Sequence, residues 1–285
     1  APNLLTVGFI EESITGQEFL FLTWVTRLAP ITLVIVLVMF LFMSRAMRPE
    51  VSGLPGSKEY LESELRKLGP MSREECWGLG LFLIAVMLAF GRPLYAGALP
   101  GLTPAFAFVT MAVLSFVIRT KEGPLITWQF AQANMYWGLF YLFAGGIALG
   151  RILTGSGAAQ TLADALAPYA SAGGFTAMLV FSVMTMVLTQ VTSNTASIAI
   201  VVPITISTFQ SLDLNPVPFV YMVTVIGNCG FILPSSAGGP AIAAGYGVNL
   251  RTMATKGLMA SLLVLVTLVI MGYALATLWP GFGVA

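Results

Sequence analysis

The chain has 285 residues, of which 57% are hydrophobic and only 9% are charged. Because soluble domains usually carry roughly 25% charged residues, this composition excludes an ordinary water-soluble domain and predicts a membrane protein. A formal net charge of +1 offers no basic surface for nucleic acid, and the lack of histidine removes the commonest catalytic base, so we predict neither a nucleic-acid partner nor an enzyme.

The first apolar run that is long enough to cross the bilayer lies at about 23–44. Residues 45–75 then carry six basic and six acidic side chains. Within them, Ser57–Leu68 has its leucines on one helical face, which predicts either a short amphipathic helix on the membrane surface or a solvated linker. The next apolar runs lie at 76–92, 104–118, 136–153 and 257–279.

A polar run interrupts the apolar stretch from Gly174 to Phe209, which as one helix would be about 54 Å long. The run, Thr189–Thr195, reads Thr-Gln-Val-Thr-Ser-Asn-Thr. Hydrocarbon offers no hydrogen bonds, so these side chains must face protein, water or a ligand. We predict a re-entrant hairpin with arms at 174–188 and 198–209, each too short to cross the bilayer, although two full spans would leave the topology unchanged.

A second interruption follows in the next apolar stretch, where Val217–Leu233 and Ala241–Val248 are predicted as helices. Between them, Pro234–Pro240 contains two prolines and two glycines and cannot form regular helix. Freed carbonyls and hydroxyls suit a hard cation, and helix N-termini suit an anion. No carboxylate lies in any predicted span, so a bound anion would have to offset the charge of the cation. This dependence of one ion on the other favours cotransport. The alternative is that the small and polar residues of both interruptions only pack helices together.

Basic residues lie mainly on one side of the membrane if successive loops alternate. Ten of them then share the side of residues 45–75, against Arg27, Arg92 and Arg151 on the other. The positive-inside rule therefore places residues 45–75 in the cytosol and the C-terminus outside, in an inner or plasma membrane.

Two motifs resemble those of the divalent anion/sodium symporter family. They are Ser193-Asn194-Thr195 and the loop Leu233–Ile242, which in this family occur once in each of two inverted repeats; their order here matches the second repeat. Trp137–Leu153 is similar to the span before that hairpin, and Ala1–Gly8 is similar to the end of the first repeat's loop. The chain thus looks like the C-terminal half, with the other half in the same or another chain.

The resemblance implies a set of binding residues in this sequence. Sodium would be bound at Thr189, Thr192, Asn194 and Ser236. The anionic substrate would be bound at Ser193, Asn194, Thr195, Ala237 and Gly238. In place of the family's Ala-Thr-Pro-Pro-Asn, this chain has Ser-Ala-Gly-Gly-Pro at 236–240, a difference that bears on the identity of the substrate.

The resemblance also implies an all-α polytopic membrane protein, with one inverted repeat that combines a re-entrant hairpin and an adjacent broken helix with scaffold helices. Its function would be elevator-type, sodium-coupled symport of a di- or tricarboxylate or of sulfate, in a homodimer. The rivals are a sodium-independent anion exchanger and a structural subunit that transports nothing.

The resemblance also implies a division of the chain into five parts. These are 1–44, the tail of the first repeat and a transmembrane helix; 45–75, the cytoplasmic linker; 76–135, scaffold helices; 136–256, the transport domain with hairpin 174–210 and broken helix 217–250; and 257–285, the final helix and C-terminus.

Overall fold

The computed structural model describes residues 2–46, 56–120, 123–135 and 174–284, together with isolated residues between 137 and 168. The chain divides into two compact units. The first comprises Ala1–Phe19, Thr23–Met47 and Trp137–Ala285, and the second comprises Leu20–Leu22 and Arg48–Tyr136. Apart from one two-stranded hairpin, the regular structure of the described residues is helical, as predicted for an all-α membrane protein.

The described residues of the second unit form four helices and the small hairpin, in the order α3 (Ser57–Leu68), α4 (Arg73–Tyr95), α5 (Pro104–Val117), β1 (Arg119–Thr120), β2 (Gly123–Pro124) and α6 (Trp128–Asn134). The start of α4 is set by a capping box, in which the Ser72 hydroxyl accepts from the Glu75 amide and the Glu75 carboxylate accepts from the Ser72 amide. At the other end, the buried Arg92 donates to the carbonyls of Leu99 and Pro100, which ties the α4–α5 connection to α4. The leucines of α3 are exposed.

The remaining elements are α1 (Pro2–Ile10), a π-helical turn (Glu11–Thr15), α2 (Phe21–Ala46), α7 (Gly174–Val191), α8 (Asn194–Ser211), α9 (Val217–Gly227), α10 (Gly238–Gly245), α11 (Leu250–Leu278) and a 3-10 turn (Pro280–Gly283). Among the described residues, α2, α4, α7 and α11 are long and apolar enough to cross a membrane. The chain is therefore a multi-pass membrane protein. The span expected at 136–153 lies almost entirely outside the described residues.

The hairpin arms are longer than the sequence predicts. Helices α7 and α8 have 18 residues each, and only Thr192 and Ser193 separate them. Each arm is therefore about 27 Å long, longer than predicted. Of the two, α7 is long and apolar enough to cross a membrane and α8 is not, so the expectation of an arm too short to cross is wrong for α7. The polar side chains do not unwind the arms, because hydroxyls such as that of Thr185 bond to carbonyls one turn back in their own helix.

The break in the second stretch lies nearer the N-terminus than predicted. Helix α9 ends at Gly227 and α10 begins at Gly238, so the non-helical segment is Asn228–Ala237 rather than Pro234–Pro240. Pro240 falls in the first turn of α10, where its missing N–H group would have no helical partner in any case. It therefore starts a helix instead of ending the break. We call Asn228–Ala237 the unwound segment.

The core of the first unit is formed by the helices around α9. The Tyr221 ring of α9 makes edge contacts with Trp24 and Phe282, and the Phe181 ring of α7 lies against Phe209 of α8. Helix α1 packs on α8 and α9, and the Thr6 and Thr224 hydroxyls are 2.9 Å apart in its buried contact with α9. These contacts pack α7, α8 and α9 against one another, so that the polar residues at the ends of these helices lie close together.

Candidate functional site

The hairpin tip is formed by a helix cap. Ser193 is extended, and its hydroxyl accepts a hydrogen bond from the Ala196 amide at 3.2 Å, so α8 begins at once after α7 ends. The cap leaves Ser193 exposed, Asn194 partly buried and Thr195 buried. The reversal places Asn194, the first residue of α8, beside the last turns of α7.

Three oxygen atoms from three elements meet behind this tip. The Thr189 hydroxyl, fully buried in α7, lies 2.9 Å from the side-chain oxygen of Asn194 and 2.6 Å from the carbonyl oxygen of Gly227. The Asn194 amide nitrogen donates to the Asn228 carbonyl at 3.2 Å. A hydroxyl has one hydrogen to donate, so the two acceptors beside Thr189 compete for it and one of them keeps an unused lone pair.

Ser236 joins this group from the far end of the unwound segment. A Cβ atom built on Gly230 would lie 2.9 Å from the Asn194 side-chain oxygen, 3.0 Å from the Ser236 hydroxyl and 2.8 Å from the Ser236 Cβ. The Asn194 and Ser236 side chains therefore both lie against Gly230. Any larger residue at this position would force one of these two side chains to move. The Ser236 hydroxyl donates to the Leu233 carbonyl at 2.7 Å.

The chemistry of this cluster is that of neutral oxygen ligands. Hydroxyl, amide and main-chain carbonyl oxygens are the ligands of hard cations. Across the described ranges there is no group of three or more His, Cys, Asp or Glu residues that could hold a metal ion. The donor set therefore fits a monovalent hard cation, whose single charge requires less compensation than that of a divalent ion.

Thr192 does not join the other predicted sodium ligands through its side chain. Its hydroxyl lies 2.9 Å from the Leu188 carbonyl and 2.7 Å from the Ser197 hydroxyl, both within the hairpin. The structure thus brings together the side chains of Thr189, Asn194 and Ser236, whereas the Thr192 side chain makes a separate contact between the two arms.

The residues expected to bind substrate fall into two groups. Ser193–Thr195 form the tip, whereas Ala237 is extended and Gly238 starts α10 without a side-chain cap. An uncapped helix N-terminus presents main-chain N–H groups that suit an anion. In the described part of the chain, no hydrogen bond joins the tip to Ala237 or Gly238; the Asn194 side chain of the tip donates instead to the Asn228 carbonyl.

Several residues of the site were missed by sequence reasoning. Gly227 and Asn228 supply carbonyls, Gly230 supplies the space, and Gln190 bonds to the unwound segment. The Asn228 side chain also donates to the Asn3 side chain of α1 at 3.0 Å. A usable signal was the Gly-Asn-Cys-Gly sequence at 227–230, since two glycines around an amide residue favour a helix end at that point.

Fold and site together define a multi-pass helical membrane protein with a polar, non-helical centre in its first unit. A family described as the sodium:sulfate symporter transmembrane region matches residues 1–281. The chain belongs to this family, the divalent anion/sodium symporters.

Individual relatives agree with that assignment. The chain is 26% identical over 283 residues to the sodium-dependent dicarboxylate transporter SdcS of Staphylococcus saprophyticus. The matched region is 96% of the chain and 54% of that protein. It is 24% identical over 267 residues to SdcS of Staphylococcus aureus, covering 90% and 51%. It is 31% identical over 245 residues to a membrane protein of Cupriavidus necator, covering 83% and 46%. The chain thus spans about half the length of these relatives.

Proposed function

We propose that this chain forms the second half of a sodium-coupled secondary transporter of a divalent or trivalent anion. The observation that carries the proposal is the meeting of the Thr189 hydroxyl, the Asn194 side-chain oxygen and the Gly227 carbonyl oxygen, beside Ser236. These oxygens come from both arms of the hairpin and from the broken helix, as expected for a site built between discontinuous helices.

Coupling would follow from electrostatics at this site. A sodium ion among neutral oxygens carries an uncompensated charge into a low-dielectric region, and an anion at the hairpin tip and the α10 N-terminus compensates it. Each ion therefore lowers the cost of burying the other. In the proposal, sodium is bound by Thr189, Asn194 and Ser236 with the main chain of Gly227 and Thr192, and the anion by Ser193, Asn194, Thr195, Ala237 and Gly238.

The substrate class is proposed from the relatives. Two of them are sodium-dependent dicarboxylate transporters and the family description specifies sulfate, so a small anion with two or more negative charges is the common feature. We further propose elevator-type motion in a homodimer, with the re-entrant hairpin 174–210 and broken helix 217–250 in the moving domain 136–256. The cytoplasmic side would be that of 45–75, with the C-terminus outside.

The test is the substitution Asn194→Ala in the natural full-length protein, reconstituted in proteoliposomes. We expect succinate and sulfate uptake driven by a sodium gradient to fall to the background of empty vesicles, because Asn194 contributes to both proposed ligand sets. Sodium should also cease to raise the melting temperature of the variant. Asn134→Ala is the matched control, since Asn134 is exposed in α6 and bonds only to a carbonyl of its own helix.

Other outcomes separate the rival functions. Uptake at the wild-type rate by Asn194→Ala would refute the site. Counterflow of anion in sodium-free vesicles would instead indicate an exchanger. A structural subunit would show neither activity, and sodium would not protect Cys229, which is buried beside the site, from a thiol reagent.

A further inference from the structure

A buried side chain of the hairpin, that of Gln190, makes several hydrogen bonds to the unwound segment. Gln190, in the last turn of α7, is 7% exposed. Its amide oxygen accepts hydrogen bonds from the main-chain N–H groups of Phe231 at 3.0 Å and Ile232 at 2.9 Å. Its amide nitrogen lies 3.1 Å from the Cys229 carbonyl oxygen and 3.3 Å from the Ser261 hydroxyl oxygen. Both ends of the amide are therefore used.

These bonds replace helical hydrogen bonds that the unwound segment lacks. Lipid cannot pair with free N–H and C=O groups, so non-helical backbone at membrane depth requires protein partners. Gln190 supplies them on both sides of Gly230, with Cys229 before it and Phe231 and Ile232 after it. Gly230 is the residue against which the Asn194 and Ser236 side chains lie.

Helix α11 holds the same residues from another direction. A Cβ atom on Gly257 would lie 2.3 Å from the Phe231 carbonyl oxygen and 3.0 Å from the Ile232 Cα atom. The backbone of α11 is thus in direct contact with the unwound segment, and Ser261, one turn further along, reaches Gln190. The segment is fixed between an amide of α7 and the glycine face of α11.

We infer that Gln190 is a positioning residue for the proposed sodium site: through Cys229, Phe231 and Ile232 it sets where the carbonyls of Gly227 and Asn228 and the hydroxyl of Ser236 stand relative to Asn194. The inference rests on the proposed function. Gln190 has no hydrogen bond to the side chains of Thr189, Asn194 or Ser236, so it acts through the main chain and not as a ligand. It makes the hairpin and the broken helix a single binding unit.

A positioning role predicts a specific kinetic change. In Gln190→Leu the side chain keeps a similar volume but loses both the donor and the acceptor, so three main-chain groups around Gly230 lose their partner. We expect the half-saturating sodium concentration to rise about tenfold, since loss of a buried partner weakens an equilibrium on this scale. The turnover rate at saturating sodium should stay within about twofold, because no ligand atom has been removed.

A second variant, Gln190→Met, separates the loss of hydrogen bonds from a change of shape. Methionine is unbranched and close to glutamine in size, but its thioether cannot donate a hydrogen bond and accepts only weakly. We expect the same rise in half-saturating sodium as in Gln190→Leu, again with the turnover rate within about twofold of wild type.

The measurement is sodium activation of succinate uptake by the natural full-length protein in proteoliposomes. Gln210→Leu is the matched control, because Gln210 is exposed at the end of α8 and donates only to the Ser13 carbonyl; it should have wild-type sodium dependence. If Gln190→Leu does not fold, Gln190→Met, whose unbranched shape is nearer that of glutamine, still tests the inference.

Two results overturn the inference, and they differ from failure of the proposed function. Wild-type sodium half-saturation in folded Gln190→Leu would exclude the positioning role, as would wild-type half-saturation in folded Gln190→Met. Asn194→Ala is measured in parallel. If it abolishes sodium-driven uptake while Gln190→Leu behaves as wild type, only the positioning role fails; if Asn194→Ala is also unaffected, the site itself is wrong.

Discussion

The two interruptions of the helical structure are built in different ways. At the hairpin tip, only Thr192 and Ser193 leave the helical conformation, and the Ser193 side chain caps the helix that follows. The unwound segment is five times longer, and three of its main-chain groups depend on Gln190, which belongs to another helix. The Ser193 cap is a local contact, whereas the unwound segment is stabilised by tertiary contacts.

This difference indicates how the two regions should respond to substitution. A change at the Ser193 cap should act through the stability of one helix end, because this hydrogen bond is made between neighbours in sequence. A change in the unwound segment should act on ligand binding, because the same contacts that stabilise the segment also place the oxygens of the proposed site.

The largest effect is expected for Gly230→Ala. The new methyl group would lie 2.8 Å from the Ser236 Cβ and 2.9 Å from the Asn194 side-chain oxygen, so one of them must move. We expect sodium affinity, measured by the half-saturating concentration for uptake, to fall by more than about tenfold. Gly245→Ala is the control, since its Cβ would meet no atom within 4 Å. Equal sodium affinity in the two variants would argue that the Gly230 contact is not part of the site.

An intermediate effect is expected for Gly257→Ala, which tests the other support of the unwound segment. Its Cβ would lie 2.3 Å from the Phe231 carbonyl oxygen, and backbone cannot yield as a side-chain end can. We expect the free energy of unfolding in detergent to fall by about 1–3 kcal/mol, as for other overpacked sites. Gly8→Ala, in α1 with open space around its Cβ, should not be destabilised. A stable Gly257→Ala protein would show that α11 and the segment separate easily.

The smallest effect is expected for Ser193→Ala. The substitution removes the cap of α8, whose hydroxyl accepts from the Ala196 amide at 3.2 Å, and should cost about 1 kcal/mol in the free energy of unfolding. Ser193→Thr keeps a capping hydroxyl and should lose much less. A difference of less than a few tenths of a kcal/mol between the two variants would mean that the tip does not depend on its local cap.

Much of the helical architecture was predictable because its causes are local or compositional. Bilayer thickness sets the length of apolar runs, and α2 and α4 begin and end within three residues of the predicted 23–44 and 76–92. The α3 helix has the predicted bounds, Ser57–Leu68. The polar run predicts arms that are shorter than those of the structure, because most of its residues belong to the two helices rather than to a break between them.

The candidate site was predictable in its residue types but not in its geometry. The motif around Asn194 and the proline-rich loop drew attention to Thr189, Asn194 and Ser236, which the structure brings together. Neither motif indicated that the Thr192 side chain bonds within the hairpin or that Gly227 provides a carbonyl. Those outcomes depend on which turn of α9 packs against the hairpin.

Composition and local pattern were sufficient for membrane insertion, for helical structure and for the presence of two polar interruptions, because each follows from transferring particular side chains and backbone groups out of water. The position of the second interruption, and the oxygens that face each other across it, arise only when α7, α9 and α11 pack together. Main-chain groups of the unwound segment have no preferred partner in the sequence, and they find one in Gln190, some forty residues earlier, because helix packing places that amide beside them.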